Sequence, residues 1–180
     1  GETCTHYLYL SDTEYDKPGF EGAKAILSPP LRGPEHTAAL WEGLRTGALS
    51  VVATDHCPFT YENVYGLSMS KRLGENEGFH RVPNGGPGIE ESMTVMFSGM
   101  RERGFSLNRF VDVTATAPAK LFGLYPRKGT IAVGSDADIV IVDPDSKWTI
   151  TAATGHGRMD YTLFEGREVG CRIKKVFLRG

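Results

Sequence analysis

The feature that most constrains the fold is a helical pattern that leads directly into an apolar strand. Apolar residues recur at helical spacing over residues 35–45, and Gly47 follows where such a helix would end. Residues 49–54 then form a short apolar run of the kind found in buried strands. A helix followed at once by an apolar strand is half of an α/β unit, so the sequence predicts an α/β fold for residues 1–125.

Further helices are predicted downstream of this unit. A helix is expected from about Ile89 to Met100, because methionine and phenylalanine residues recur there at intervals of three and four. We interpret this apolar stripe as core packing, since methionine commonly fills irregular gaps in protein cores. Two shorter helices are predicted over residues 107–114 and 117–124.

The remaining pattern is of the β type. Alternating tyrosine and leucine residues predict a strand over residues 7–10. Residues 129–143 have the pattern of a turn, a short strand, a second turn and an apolar strand. The β pattern continues over residues 148–151 and 169–178. We therefore predict that residues 126–180 form a separate β layer.

Composition excludes several classes of function. The 20 basic and 22 acidic residues give a formal net charge of −2, which offers no electrostatic footprint for nucleic acid or for an anionic membrane surface. No apolar run approaches the roughly 20 residues that a membrane span needs. The 3 cysteines are far apart and odd in number, which argues against a disulfide framework and favours a reducing, cytoplasmic location. The chain opens at Gly1 within a structured pattern, so we expect it to be a piece of a longer protein.

Asp55 is the strongest candidate for a chemical role on position alone. It follows the apolar strand at its carboxyl end, where α/β barrels place their catalytic groups. With its neighbour His56 it forms a pair suited to metal binding or general-base chemistry. The alternative is that Asp55 only caps the turn that follows the strand.

The other reactive side chains fit structural roles more simply. His6 is expected to be a structural histidine, His36 and His80 to be exposed to solvent, and Cys57 to be a small buried residue. The glycine-rich turn at residues 85–88 allows either a close backbone approach to a ligand or a plain tight turn. Because the sequence contains no dinucleotide-binding fingerprint, Walker A motif or nucleophile elbow, chemistry on a phosphate-containing cofactor is disfavoured.

Several segments together resemble one enzyme family. The resemblance is carried by Gly-Glu-Thr-Cys-Thr-His-Tyr-Leu (1–8), Ser-Pro-Pro-Leu-Arg (28–32), Leu-Trp-Glu-Gly-Leu (40–44), Thr-Asp-His-Cys-Pro-Phe (54–59), Pro-Asn-Gly-Gly-Pro-Gly (83–88), the segment 121–140 and Tyr-Thr-Leu-Phe-Glu-Gly (161–166). In this order they are similar to the carboxyl-terminal part of the dihydropyrimidinases, also called D-hydantoinases, which are cyclic amidohydrolases. The segment 121–140 is shared widely among amidohydrolases, whereas residues 28–32, 54–59 and 83–88 indicate the hydantoinase branch.

The resemblance implies a fold and a set of partners. Residues 1–125 would be the carboxyl-terminal part of a TIM-type (β/α)8 barrel of a metal-dependent hydrolase, and residues 126–180 would be the last strands of a small β-sandwich domain. The amino-terminal barrel strands would then lie outside this chain. The implied partners are a small cyclic amide substrate and either further copies in a homo-oligomer, a tetramer in this family, or the missing amino-terminal half.

The resemblance also implies a metal site and the roles of three residues. The family binds two divalent metal ions, usually zinc, bridged by a carboxylated lysine and a hydroxide. Asp55 matches the family's metal-binding aspartate, which accepts a proton from the hydroxide and delivers it to the leaving ring nitrogen. Ser28 and Asn84 match positions whose backbone groups hold the amide and imide of the substrate ring. The other metal ligands have no counterpart here, so we expect the isolated chain to be inactive.

Two alternatives remain open. The family includes non-catalytic scaffold relatives, the collapsin-response mediators, which have the same fold without the metals; His56 and the Pro-Asn-Gly sequence at residues 83–85 favour the catalytic branch. The second alternative is a site for one metal ion built from Asp55 with His56 or His6. Adjacent residues of a strand point to opposite faces, which disfavours this site.

Overall fold

The computed structural model describes residues 1–66 and 69–180, and it is built around a short parallel β-α-β unit. Strand β1 (Glu2–Cys4) lies beside strand β2 (Val51–Ala53), with Glu2 opposite Val51 and Cys4 opposite Ala53. Helix α1 (Pro34–Thr46) connects the two strands. The α/β class predicted from the sequence is therefore confirmed for this unit.

Helix α1 has clear signals at both ends. Pro34 occupies the first helical position, where its missing N–H removes no hydrogen bond. Gly47 ends the helix in the left-handed conformation, with φ of 86°. On the inner face, the indole of Trp41 is buried and donates a 2.8 Å hydrogen bond to the carbonyl of Leu8. This bond attaches α1 to the segment that follows β1.

The prediction of a strand over residues 7–10, from the alternating tyrosine and leucine residues, is wrong. Residues Thr5–Leu8 form a 3-10 helix, and the amides of Tyr9 and Leu10 both donate to the carbonyl of His6, at 3.1 and 2.8 Å. These local bonds take the place of a strand ladder. The ring of Tyr9 packs edge-on against Trp41, so the alternation reflects side chains packed around a turn.

The predicted apolar helix is present and forms the main core. It is helix α3 (Ser92–Glu102), which follows a short helix α2 (Leu73–Glu77). Met96 and Met100 are fully buried against residues of α1 and of the 3-10 helix. The interpretation of the methionine stripe as core packing is therefore confirmed.

The two shorter predicted helices form one continuous helical segment. Helix α4 (Leu107–Val111) passes through a π-helical turn (Asp112–Thr116) into helix α5 (Ala117–Leu121), which ends three residues earlier than expected. The π turn ends two residues before Pro118, whose ring nitrogen cannot donate to the helical ladder. Of the helices in the described residues, none is both long and apolar enough to cross a membrane.

The carboxyl-terminal third contains two antiparallel strand pairs. Strand β3 (Ile139–Asp143) pairs with β6 (Arg172–Phe177), and β4 (Trp148–Thr149) pairs with β5 (Glu168–Val169). The additional short strand predicted before β3 does not form, because its segment has no neighbouring strand and instead contains turns.

Part of this β layer packs against the helices. Ile150, Phe164 and Val169 form a buried cluster with Val95 of α3. Residues around β4 and β5 therefore share a core with the preceding segment. The boundary between two domains near residue 125 stays a prediction.

Candidate active site at the carboxyl ends of β1 and β2

Asp55 lies two residues beyond β2 in an uncommon backbone conformation. Its φ is 46°, in the left-handed region that few residues other than glycine adopt, and its side chain is exposed. Strained conformations of this kind occur often at functional sites. The position matches the sequence-based expectation that Asp55 stands at the carboxyl end of a strand.

The residues at the end of β1 lie within electrostatic reach of Asp55. Burial lowers the pKa of His6 to about 4, and the carboxylate of Asp55 acts in the opposite direction. Burial also raises the pKa of Cys4 to about 11, and Asp55 adds to that rise. For Tyr7 the pKa rises to about 12, first through burial and then through Cys4 and Asp55. The imidazole, thiol and phenol near Asp55 are therefore all uncharged at neutral pH.

The glycine-rich turn packs directly against the segment that carries Asp55. His56 pairs with Gly86 in a parallel bridge, and the amide of Cys57 donates to the carbonyl of Gly86 at 3.2 Å. The Nδ1 atom of His56 accepts hydrogen bonds from the amides of Gly88 and Ile89, at 3.2 and 3.4 Å. His56 therefore anchors the turn through its ring, and its neutral form carries the proton on Nε2.

A second contact brings in the segment that carries Ser28. The amide of Gly85 donates a 3.0 Å hydrogen bond to the carbonyl of Ile26, two residues before Ser28. Ser28 and Asn84 are both exposed. The segments that carry Ser28, Asn84 and Asp55 are thus joined side by side through main-chain hydrogen bonds.

Gly85 is required for this close approach. Its φ is 138°, and a Cβ atom at this position would lie 2.3 Å from the carbonyl oxygen of Cys57. The turn at residues 85–88 therefore uses its first glycine to bring two backbone segments together.

A cleft of about 500 Å³ opens beside Asp55. Its walls include Cys4 and Ala53 from the two strand ends, Tyr7 from the 3-10 helix and Pro29 from the segment after Ser28. The hydroxyl of Tyr7 donates to the carbonyl of Pro29 at 2.6 Å, which fixes one wall of the cleft. The cleft is large enough for a small ring and exposes the Asp55 carboxylate to it.

The residues of this chain do not by themselves form a metal site. Within residues 1–66 and 69–180, no group of three or more histidine, cysteine, aspartate or glutamate side chains could hold a metal ion. A catalytic zinc ion takes three protein ligands, and Asp55 supplies one carboxylate. A metal at this position would therefore need ligands from outside the described residues, which leaves the proposed one-metal site with His56 or His6 without support.

The remaining candidate residues agree with the sequence-based predictions of their burial in all but one case. Cys57 is exposed, which contradicts the expectation of a small buried residue: the turn at Asp55 carries the chain away from the strand. His36 and His80 are exposed, as expected. His6 is buried, in agreement with its predicted structural role, although its Nε2 atom has no hydrogen-bond partner among the described residues.

Lys71 has no signal in the sequence, but its side chain is fully buried between the segments that carry Ser28 and Asn84. Its Nζ atom donates to the carbonyl of Ile26 at 2.9 Å and to the carbonyl of Pro83 at 2.6 Å. A lysine within a polar segment of low periodicity carries no signal of burial, because lysines are almost always exposed. The burial of Lys71 depends on its contacts with Ile26 and Pro83, which are distant from it in sequence.

Comparison with known proteins identifies relatives of this arrangement over the whole chain. A D-hydantoinase of Streptomyces coelicolor is 47% identical over 180 residues, which are 100% of this chain and 37% of that protein. A D-hydantoinase of Ralstonia pickettii is 45% identical over 179 residues, which are 99% of this chain and 38% of that protein. The chain therefore spans less than two fifths of the length of these relatives.

Solved structures give the same result. The D-hydantoinase of Bacillus sp. AR9 superposes with a TM-score of 0.94 at 49% identity, over 100% of this chain and 38% of that one. The L-hydantoinase of Arthrobacter aurescens superposes with a TM-score of 0.83 at 30% identity, over 99% of this chain and 38% of that one. The similarity to hydantoinases inferred from the sequence motifs is confirmed.

A sequence model of the amidohydrolase family matches residues 5–180, which is nearly the full chain. The parallel β-α-β unit, with an aspartate exposed beyond its second strand, is consistent with that match. We conclude that this chain belongs to the amidohydrolase family.

Proposed function

We propose that this chain forms part of a metal-dependent hydrolase that opens the ring of a hydantoin or a dihydropyrimidine. The observation that carries the proposal is the main-chain network that joins the segments of Ser28 and Asn84 to that of Asp55, which itself borders a cleft. The similarity to D-hydantoinases gives this arrangement its chemical interpretation. Below, the assembled protein means this chain together with the polypeptide that supplies the rest of the barrel.

In this proposal the chain supplies the last part of a TIM-type barrel. Residues 1–125 contribute two parallel strands and their connecting helix, and residues 126–180 contribute strands to a small β-sandwich. The parallel pairing of β1 with β2 across α1 supports this assignment, because parallel strands with helical crossovers are the repeating unit of such barrels.

Each of the three residues has a distinct role. The backbone groups of Ser28 and Asn84 bind the amide and imide of the ring and orient its scissile bond towards Asp55. The Asp55 carboxylate accepts a proton from the attacking water and returns it to the ring nitrogen as the C–N bond breaks. Its exposure at the edge of the cleft supports this role, since a group that transfers protons must reach the substrate.

The same carboxylate would be one ligand of a divalent metal centre, zinc in the family this chain resembles. A bound metal of this kind polarises a carbonyl and lowers the pKa of bound water towards neutrality. The remaining ligands would come from the other part of the assembled protein, which is why we expect no activity from the 180-residue chain alone.

The replacement Asp55→Asn in the assembled protein tests this proposal. Asparagine tolerates the left-handed conformation but cannot accept a proton as a carboxylate does. We expect the rate of ring opening to fall by at least about 100-fold, the lower end of what a positioned acid–base group contributes. The matched control is Asp16→Asn, an exposed aspartate far along the chain from Asp55, which should leave the rate unchanged.

Two outcomes would contradict the proposal. Retained turnover of the Asp55→Asn variant would remove Asp55 from the chemistry. An assembled, folded protein that opens neither hydantoin nor dihydropyrimidine rings would instead favour a scaffold role of the same fold.

A further inference from the structure

Lys71 is a lysine whose side chain is completely buried. None of its surface is accessible, and its Nζ atom lies 6.0 Å from the centre of the Phe59 ring. Its backbone is also fixed, because its amide donates to the carbonyl of Thr60 at 2.9 Å. Burial of a lysine costs free energy unless its ammonium group is hydrogen-bonded. The hydrogen-bond partners of Nζ therefore show how the fold accommodates this side chain.

The partners of Nζ are main-chain carbonyls and not acidic side chains. Nζ donates to Ile26 at 2.9 Å and to Pro83 at 2.6 Å. Among residues 1–66 and 69–180, no carboxylate lies within ion-pairing distance of it. The side chain therefore links two backbone segments without neutralising a buried acid.

Both linked carbonyls adjoin residues of the candidate site. Ile26 lies two residues before Ser28, and Pro83 lies immediately before Asn84. The carbonyl of Ile26 also accepts the amide of Gly85, so one oxygen joins all three segments. An ammonium group with several donors can hold two carbonyls at a fixed separation, which a single backbone hydrogen bond cannot do.

We infer that Lys71 is a positioning residue that fixes the spacing between the backbone of Ser28 and that of Asn84, so that the two segments together bind one cyclic amide. This inference rests on the function proposed above. A residue that acts in this way contributes equally to binding of the substrate and of the transition state. Its loss should therefore raise KM and leave kcat almost unchanged.

The test replaces Lys71 with methionine in the assembled protein, because methionine keeps most of the unbranched apolar stem and removes the side-chain donors. We expect KM for hydantoin or dihydrouracil to rise by at least about tenfold, with kcat within about threefold of the original. Lys71→Arg keeps donors and should recover part of the lost affinity. The control is Lys147→Met, a lysine with 74% of its side chain exposed, which should change neither constant. An unchanged KM in Lys71→Met would overturn the inference.

Hydrogen exchange followed by mass spectrometry tests the same inference without turnover. Lys71→Met should speed exchange of the amides of residues 26–28 and 84–86, and unchanged exchange there would overturn the inference. If the assembled protein opens no ring, the proposed function fails while this measurement still decides the role of Lys71. If Lys71→Met does not fold, exchange in the unmodified protein tests the inference. The amides around Ser28 and around Asn84 should then exchange with the same free energy of opening, and different values for the two segments would overturn the inference.

Discussion

The backbone conformation of Asp55 determines which substitutions at this residue are informative. With φ of 46°, a residue with a Cβ atom and no local polar group is disfavoured by about 1–2 kcal/mol. We predict that Asp55→Ala unfolds at a lower temperature than Asp55→Gly, whereas Asp55→Asn stays close to the original protein. Thermal unfolding of the three variants checks this order. An alanine variant as stable as the glycine variant would show that the left-handed conformation is not maintained.

Lys71 should make stability depend on alkaline pH. Burial lowers the pKa of its ammonium group to about 8 from 10.5, with Cys57 acting in the opposite direction. Between these values the unfolded chain still binds the proton that the folded chain has released, so the free energy of unfolding rises with pH in this window. The gain is present above about pH 10.5 and is lost as pH falls through about 8; it amounts to about 3 kcal/mol.

Denaturant unfolding at several pH values, compared with Lys71→Met, measures this contribution. Because other groups also titrate in the alkaline range, only the difference between the two proteins is diagnostic. A difference that does not vary between pH 8 and 10.5 would contradict the lowered pKa.

Residue-level chemistry was predictable where it depended on the local sequence. Asp55 follows an apolar strand, and that order alone placed it at a strand end. Lys71 had no such signal, because its burial depends on two loops that are distant in sequence. The exposure of Cys57 was missed for a related reason: the left-handed turn at Asp55 redirects the chain, and the residue pattern does not encode that turn.

Helix α3 and the segment after β1 meet at a contact that only glycine permits. A Cβ atom on Gly99 would lie 1.6 Å from the hydroxyl oxygen of Tyr9, and that hydroxyl donates to the carbonyl of Val95 at 2.8 Å. We predict that Gly99→Ala destabilises the fold by about 1–3 kcal/mol, the usual effect of overpacking a core.

Equilibrium unfolding of this variant has an internal control. Gly170→Ala introduces the same methyl group where nothing lies within 4 Å, and it should change stability by less than about 0.5 kcal/mol. Combining Gly99→Ala with Tyr9→Phe should restore part of the loss, since the hydroxyl is the nearest atom. Equal stability of the two alanine variants would contradict the packing described at Tyr9.

At the level of elements, long periodic patterns were reliable and short ones were not. Helices α1 and α3 are predictable because apolar residues recur at helical spacing over several turns, and α1 also has a glycine that marks its end. The short strand expected before β3 depended on a partner strand, which the local sequence cannot specify. The 3-10 helix at Thr5–Leu8 likewise depends on its packing against α1 and α3.

The whole molecule exposes apolar side chains along the pair formed by β3 and β6. Val140, 43% exposed, lies opposite Val176, 69% exposed, so these two side chains share one face of the pair, whereas Ile141, 46% exposed, lies on the other face. Contiguous apolar surface of this kind favours association. We predict that the 180-residue chain does not stay monomeric: by itself it forms oligomers, and it pairs with the rest of the assembled protein when that part is supplied.

Sedimentation velocity of the isolated chain at micromolar concentration measures this association. Val176→Lys should shift the distribution towards smaller species, whereas Ala38→Lys adds the same charge on an exposed position of α1 and should not. A monodisperse monomer of 19.7 kDa would contradict the prediction.

We propose that Asp55 belongs to a metal-dependent active site whose other ligands come from the rest of the assembled protein. The most direct test is the number of divalent metal ions bound to the assembled protein, counted by native mass spectrometry before and after Asp55→Asn. We expect about two ions per site in the original protein and fewer in the variant, because one ligand has been weakened. An original protein that binds no metal, or a variant that keeps the full number, would contradict it.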